Sequence, residues 1–296
     1  MISPIQEFFL ETKSEYAVIS SGVDWITITG DSQGSKERVA KMARDILDDG
    51  MLQGQRLVRT SRSGYTLTGV EGFQWGQGHK GWMCCLTGEK ARKLWLPFYA
   101  VSKNCTRLDI QCTIAYADYD EESVSKIYTS ARNANTAHWL QRVTLILNNH
   151  RGSTVYYGSR TSSQYGRIYD KYRHSKMNLE FDRCIRFEVE YKKPVSGYMA
   201  KELVRDLPDE RGMASIVLSW FQHRGFATPE VGTTPYNEPQ IGRKESSIER
   251  KLRWLAQSIR PTYQQLRMAG FQSEADEALG VTEDLATYSD NLGTRE

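Results

Sequence analysis

The chain has 296 residues, of which 39% are hydrophobic and 25% charged, with a formal net charge of +3. That balance excludes a disordered chain and leaves room for one large domain or two modest ones. No apolar run of about 18 residues occurs and the acidic start of the chain has no basic segment leading into an apolar one, so neither a membrane span nor a signal peptide is expected and the protein reads as cytoplasmic. Cys84, Cys85, Cys105, Cys112 and Cys184 contain no CxxC pair. Their spacing argues against a zinc site and for buried, reduced thiols.

In chain order, Asp24 to Thr29 is a strand rich in β-branched residues. Ser35 to about Asp48 is an amphipathic helix with Val39, Met42, Ala43 and Ile46 on one face. GYTLTG and FQWGQGHKGW form a hairpin, Trp82 to Leu86 a strand, and Gly88 to Leu96 a short helix. The order then repeats. Thr106 to Ile114 is a strand and Glu121 to Ala134 a helix. Ser153 to Tyr157 and Gly166 to Lys171 are hairpin arms, Cys184 to Tyr191 is the closing strand, and Met199 to Leu207 is a helix after Pro194. The expectation is an α+β fold of two similar β-α-β-β-β-α halves, about 20–100 and 104–210, whose curved antiparallel sheets carry outer helices. Residues 1–210 would form one domain and 211–296 a helical accessory region. That region holds helices at Ile216 to Arg224 and Ser246 to Met268, a Pro- and Gly-rich loop between them, and an acidic tail.

Strand alternation sorts the polar side chains. Arg107, Asp109 and Gln111 share a face, as do Arg186, Glu188 and Glu190, and as do Arg167, Tyr169 and Lys171. The first half lacks such a set. Between Arg151 and Lys201, basic residues outnumber acids and tyrosines are interleaved. This pattern suits a groove that tracks a nucleic-acid strand, although a solvated surface would show the same composition. Carboxylates, arginines and a tyrosine on one face suit phosphodiester transfer: two or three carboxylates can hold Mg²⁺ or Mn²⁺, and cations stabilise a phenolate that is only about 0.1% populated at neutral pH. Alternating Arg and Glu on a strand would equally serve as a solvent-facing ladder, and Tyr165 and Tyr172 are further candidate nucleophiles. The histidines form no His-hydrophobic-His pair, which argues against a histidine-bound metal. No phosphate-cradling glycine motif occurs, so ATP hydrolysis is not indicated.

The segments GVDWITIT, MCCLTGEKAR, TRLDIQCTI, TVYYGSRTSSQYGRIYDKY and IRFEVEYKK, in this order, resemble the trans-acting replication initiator family of Gram-positive rolling-circle plasmids. That family also includes relaxases of integrative conjugative elements and initiators of some phages. The likeness spans roughly Gly22 to Leu207, with an echo at Trp254 and Leu255, and the pairing of YxGSR…RIYDK with RFEVE is its most specific part. The resemblance implies metal-dependent nicking and joining of single-stranded DNA by a tyrosine. It casts Tyr169 as the nucleophile, assisted by Arg167 and Lys171. Asp109 and Glu188 become ligands of Mg²⁺ or Mn²⁺, with Glu190 and Asp24 as additions. Arg107, Arg186, Arg160 and Arg173 become phosphate contacts. One departure is YRHSK, where relatives often carry an acid soon after the RIYDK lysine. The implied partners are an origin or transfer-origin DNA, a host helicase and a second copy of the chain. The competing expectation is an origin-binding or regulatory protein with a degenerate site.

Overall fold

The computed structural model describes residues 15–120, 122–134, 143–148, 152–229 and 259–279, together with residues 5, 9 and 231. Most of the predicted Pro-rich loop, the first half of the Ser246–Met268 helix, Trp254, Leu255 and Arg151 lie outside them. Residues Met1–Gln240 form one compact unit and Ile241–Glu296 a second.

In the first unit, β1 (Tyr16–Gly30) is followed by α1 (Gln33–Leu52) and by β2 (Val58–Arg62), β3 (Tyr65–Val70), β4 (Phe73–Gly78) and β5 (Gly81–Thr87), then by α2 (Gly88–Ser102). The order returns with β6 (Cys105–Tyr116), α3 (Ser123–Ala134), β7 (Val143–Ile146), β8 (Thr154–Tyr157), β9 (Gln164–Asp170), the short α4 (Lys171–His174), β10 (Cys184–Lys192) and α5 (Val195–Asp206). α6 (Glu210–Gln222) follows. The strand order is β2-β3-β4-β5-β1-β6-β10-β9-β8-β7, so the sequence of pairings in the first five strands recurs in the second five. The expected architecture of two sheets is corrected here: β1 pairs with β6 from Tyr16–Tyr116 to Ile28–Cys105, which joins the halves into a single ten-stranded sheet. Each half also has one strand more than expected. The unforeseen strands, β2 and β7, are short, lie at the sheet edges and are largely exposed. Edge strands bury no full face and so leave a weak alternation signal.

The face opposite the predicted polar set is the core. Ile26, Ile28, Leu86, Phe73, Ile110, Phe187, Val189 and Ile168 are buried there. α2 covers the first half, with Phe98 against Phe73 at 5.7 Å between ring centroids. α6 covers the second, with Phe221 against Phe187 at 5.4 Å. α6, grouped by sequence with the accessory region, therefore packs on the sheet, against β1, β6 and β10. Its Asp209 cap accepts from the Gly212 N–H. All five cysteines are free and buried, and burial pushes the thiols of Cys105, Cys112 and Cys184 up to about 12.

Gly166 of β9 lies directly beneath aromatic side chains of α6. A Cβ there would lie 2.5 Å from the Trp220 ring and 3.1 Å from Phe221. Gly166→Ala is expected to destabilise the protein by about 1–3 kcal/mol through overpacking, read as a lower urea midpoint with an unchanged slope.

The described part of the second unit is a pair of helices, α7 (Arg260–Met268) and α8 (Gln272–Leu279), tied by a hydrogen bond from the Tyr263 hydroxyl to Asp276. No described helix is long and apolar enough to cross a membrane.

Candidate active site

The register of the central strands builds the site row by row. Trp25 of β1, Asp109 of β6, Glu190 of β10 and Tyr165 of β9 lie side by side. One row along stand Gln111, Glu188 and Arg167, and beyond them Thr113, Arg186 and Tyr169. Asp24 joins them through a bulge. The β1–β6 register slips between Val23 and Trp25, and the extra residue is Asp24. A bulge bends its strand and re-aims a side chain. Gly22 just before it has φ of 138°, a conformation that residues with a Cβ rarely adopt.

The side chains form two adjoining clusters of ion pairs and hydrogen bonds, one around Asp109 and Glu188 and one around Arg186 and Asp24. Arg107 holds Asp109 with both ends of its guanidinium, Nε to Oδ1 at 2.9 Å and Nη2 to Oδ2 at 2.6 Å. It also reaches Glu190 at 3.2 Å, which in turn pairs with Lys192 at 3.1 Å. Arg167 pairs with Glu188 and lies 3.8 Å from Asp109. The Tyr169 hydroxyl donates to Glu188 Oε2 at 3.4 Å. Arg186 donates through Nε to Thr113 Oγ1 at 2.9 Å and lies 3.7 Å from Asp24, which also faces Arg92 at 3.9 Å.

Burial sets the electrostatics. Asp109 is 1% and Glu188 4% exposed. Desolvation pushes the Asp109 carboxyl up to about 7, with Arg107 opposing the rise and Glu188 and Glu190 adding to it. Desolvation likewise raises Glu188, against Arg167. The Tyr169 phenol is held well above its ordinary value, first by burial and then by the negative charge of Glu188. Strongly shifted groups clustered with specific charge partners mark a functional-site candidate.

A pH effect on stability follows from Asp109. Its folded value near 7 lies above the ordinary carboxylate value near 4. Between the two, the folded chain holds a proton that the unfolded chain has released, so stability falls as pH rises through this window. The expected loss is on the order of 2–4 kcal/mol between pH 4 and pH 7. Urea unfolding of wild type and Asp109→Asn at both ends should show the variant's dependence to be markedly flatter.

Not every predicted residue reaches these clusters. Lys171 is expected on the strand face but instead opens α4, which starts where Asp170 accepts from the Arg173 N–H. Its ammonium lies over the Phe181 ring at 4.8 Å, still close enough to Arg186, Asp24 and Glu188 to feel their charge. Arg173 is tied to Asp170 at 3.6 Å, and Asp170 belongs to the opposite strand face, where it accepts from the Tyr119 hydroxyl. Arg160 sits in the exposed β8–β9 turn beside the hydroxyls of Tyr165 and Tyr156. Those two rings stack 5.7 Å apart. Two residues beside the site are not among those expected there: Trp25, with Arg107 at 4.3 Å and Arg62 at 5.3 Å over its ring, and His174, which sequence alone reads as a basic loop residue and whose ring lies 5.1 Å from that of Tyr169. Trp25 could have been found by alternation with Thr27. His174 needed the turn of α4.

The carboxylate oxygens are the donor type that hard divalent cations take. Among the described residues, no group of three or more His, Cys, Asp and Glu stands arranged to hold a metal ion. Arginines occupy the space between the acids.

Residues 103–279 match a family described as replication initiation factor. No curated protein sequence matches the chain significantly. The fold is similar to the solved structure of the rolling circle replication initiator protein from Geobacillus stearothermophilus, with a TM-score of 0.50 and 16% identity over 74% of this chain and 92% of that one. The likeness is one of fold.

Proposed function

We propose, for a chain that belongs to the replication initiation factor family, that it nicks and rejoins single-stranded DNA through Tyr169 to start rolling-circle replication or transfer of a mobile element. The observation that carries this reading is the contact of the Tyr169 hydroxyl with Glu188 inside a network of arginines. The phenol oxygen would attack a phosphorus, forming a 5′-phosphotyrosine while the bond to the 3′ oxygen breaks. The phenol proton would pass to Glu188, the carboxylate that the hydroxyl already faces. The leaving 3′ oxygen would take up a proton from solvent. Arg167, Arg107 and Arg186 would stabilise charge developing on the phosphate, with Lys171 beside them and Arg160 on a flanking phosphate. Asp109, Glu188, Glu190 and Asp24 could offer oxygen donors to Mg²⁺ or Mn²⁺, which when bound would polarise the scissile phosphate, only once Arg107, Arg167 and Arg186 turn from these acids to the DNA phosphates. The protein would act on an origin DNA presented as a single strand or hairpin, beside a host helicase.

The test incubates the protein with oligonucleotides covering its own gene and flanking DNA, with and without Mn²⁺, and resolves them on a denaturing gel. A covalent protein–DNA band supports the reading. DNA binding without such a band would leave an origin-binding or regulatory protein.

A further inference from the structure

Apart from Asp24, the first half of the sheet lacks the carboxylates, yet its corresponding face is not featureless. A cavity of about 420 Å³ opens there, lined among others by Trp25, Gln55, Arg56, Val58, Gln74 and Cys85. Its size lies within the range of small-molecule and nucleotide sites. Trp25, Val58, Gln74 and Cys85 fall on the same sheet face as Asp109, as the pairings of Trp25 with Asp109 and of Thr27, flanking it by two, with Cys85 and Arg107 require. Trp25 is only partly buried. Its indole N–H is already spent on Thr27 Oγ1 at 3.0 Å, so what it offers a ligand is its ring. Gln55 lines the rim with its stem, its Oε1 being buried beside Gly50. Arg107 ties the cavity to the active site, because the same guanidinium lies over Trp25 and holds Asp109 and Glu190.

We infer that this cavity takes one unstacked nucleobase of the DNA strand that the site acts on. The inference rests on the nicking proposal for the origin of that strand, but not for the chemistry of the contact. An aromatic ring flanked by guanidiniums offers a stacking platform to any base. The Gln74 amide carries both a donor and an acceptor, which is what a base edge requires. A base stacking on Trp25 would take the place of the more distant Arg62 guanidinium, which could then turn to an adjoining phosphate. Trp25 on β1 and Tyr169 on β9 are separated by β6 and β10 and by four residues along the strands, roughly 20 Å in all, so a strand with its phosphate at Tyr169 can place a base a few nucleotides along here.

The experiment measures binding of the full-length protein to a deoxyadenosine homopolymer and to an abasic oligomer of the same length, which keeps the phosphates and removes every base. Wild type is expected to favour the homopolymer by about tenfold or more. Trp25→Ala should weaken homopolymer binding by about that factor and leave abasic binding unchanged. Gln74→Ala, on the partly buried rim, should do the same more weakly, and it guards against a folding defect in the tryptophan variant. Equal loss on both oligomers, or no loss on either, overturns the cavity as a base site. The covalent-band assay reads separately. A covalent band with no preference for bases sinks the cavity alone, and base-dependent binding without a band sinks the nicking proposal alone.

Discussion

Tyr169→Phe is expected to abolish the covalent protein–DNA band and to lower nicking by at least about 10³-fold, with DNA binding and thermal stability close to wild type. Loss of a nucleophile removes the whole covalent route, and effects of this kind commonly exceed those of any supporting residue. Stability should barely change because the hydroxyl makes a long hydrogen bond of 3.4 Å to Glu188, while the ring keeps its packing against His174. A gel-shift titration, the denaturing gel and a melting curve on one preparation check all three parts. A band of undiminished intensity from the variant would remove Tyr169 from the role. Tyr165 is then the next to substitute, being on the same sheet face beside Glu190.

Arg107→Ala carries the largest expected cost in stability. Arg107 is the bidentate partner of Asp109, which is 1% exposed, and it also faces Glu190. Removing one partner of a buried pair leaves the other charge without compensation, a loss of about 3–5 kcal/mol. Two features separate this from a general packing defect. The penalty should shrink as pH is lowered below 7, because Asp109 then takes up a proton and no longer needs the guanidinium. The double variant Arg107→Ala, Asp109→Asn should recover much of the loss, since the unpaired charge is gone. Urea unfolding of wild type, both single variants and the double variant at pH 5 and pH 8 supplies the comparison. A penalty that is the same at both pH values and is not relieved by Asp109→Asn would show that Arg107 acts through packing on Trp25 instead.

The long central strands and most helices can be read directly from the chain. β6 and β10 announce themselves because β-branched and aromatic residues alternate with Arg, Asp and Glu, and the alternation alone places Asp109, Glu188 and Arg186 on one face. That inference needs only the two-residue period of a strand. The helix at Gly88 runs on to Ser102, past Pro97, where a proline would ordinarily suggest an end. Burial of Trp95, Phe98 and Tyr99 on the sheet outweighs the lost backbone hydrogen bond.

By itself, then, the sequence determined which side chains share a face of which strand, that the chain is α+β, and that the second half carries the strand faces on which acids, arginines and Tyr169 lie together. These are local properties, fixed by backbone geometry and residue type. Tertiary structure alone decided that the two halves share one sheet, because the β1–β6 pairing joins residues far apart in the chain and no local pattern encodes a partner. It also decided that Asp24 enters the site, because a bulge shifts it out of simple alternation. Only the fold withdrew Lys171 from the strand face, where the Asp170 cap turns the chain into α4. Above all, the fold matched each acid to an arginine. Which charges meet depends on strand register across the sheet, and register is a property of the assembled sheet that no single segment carries.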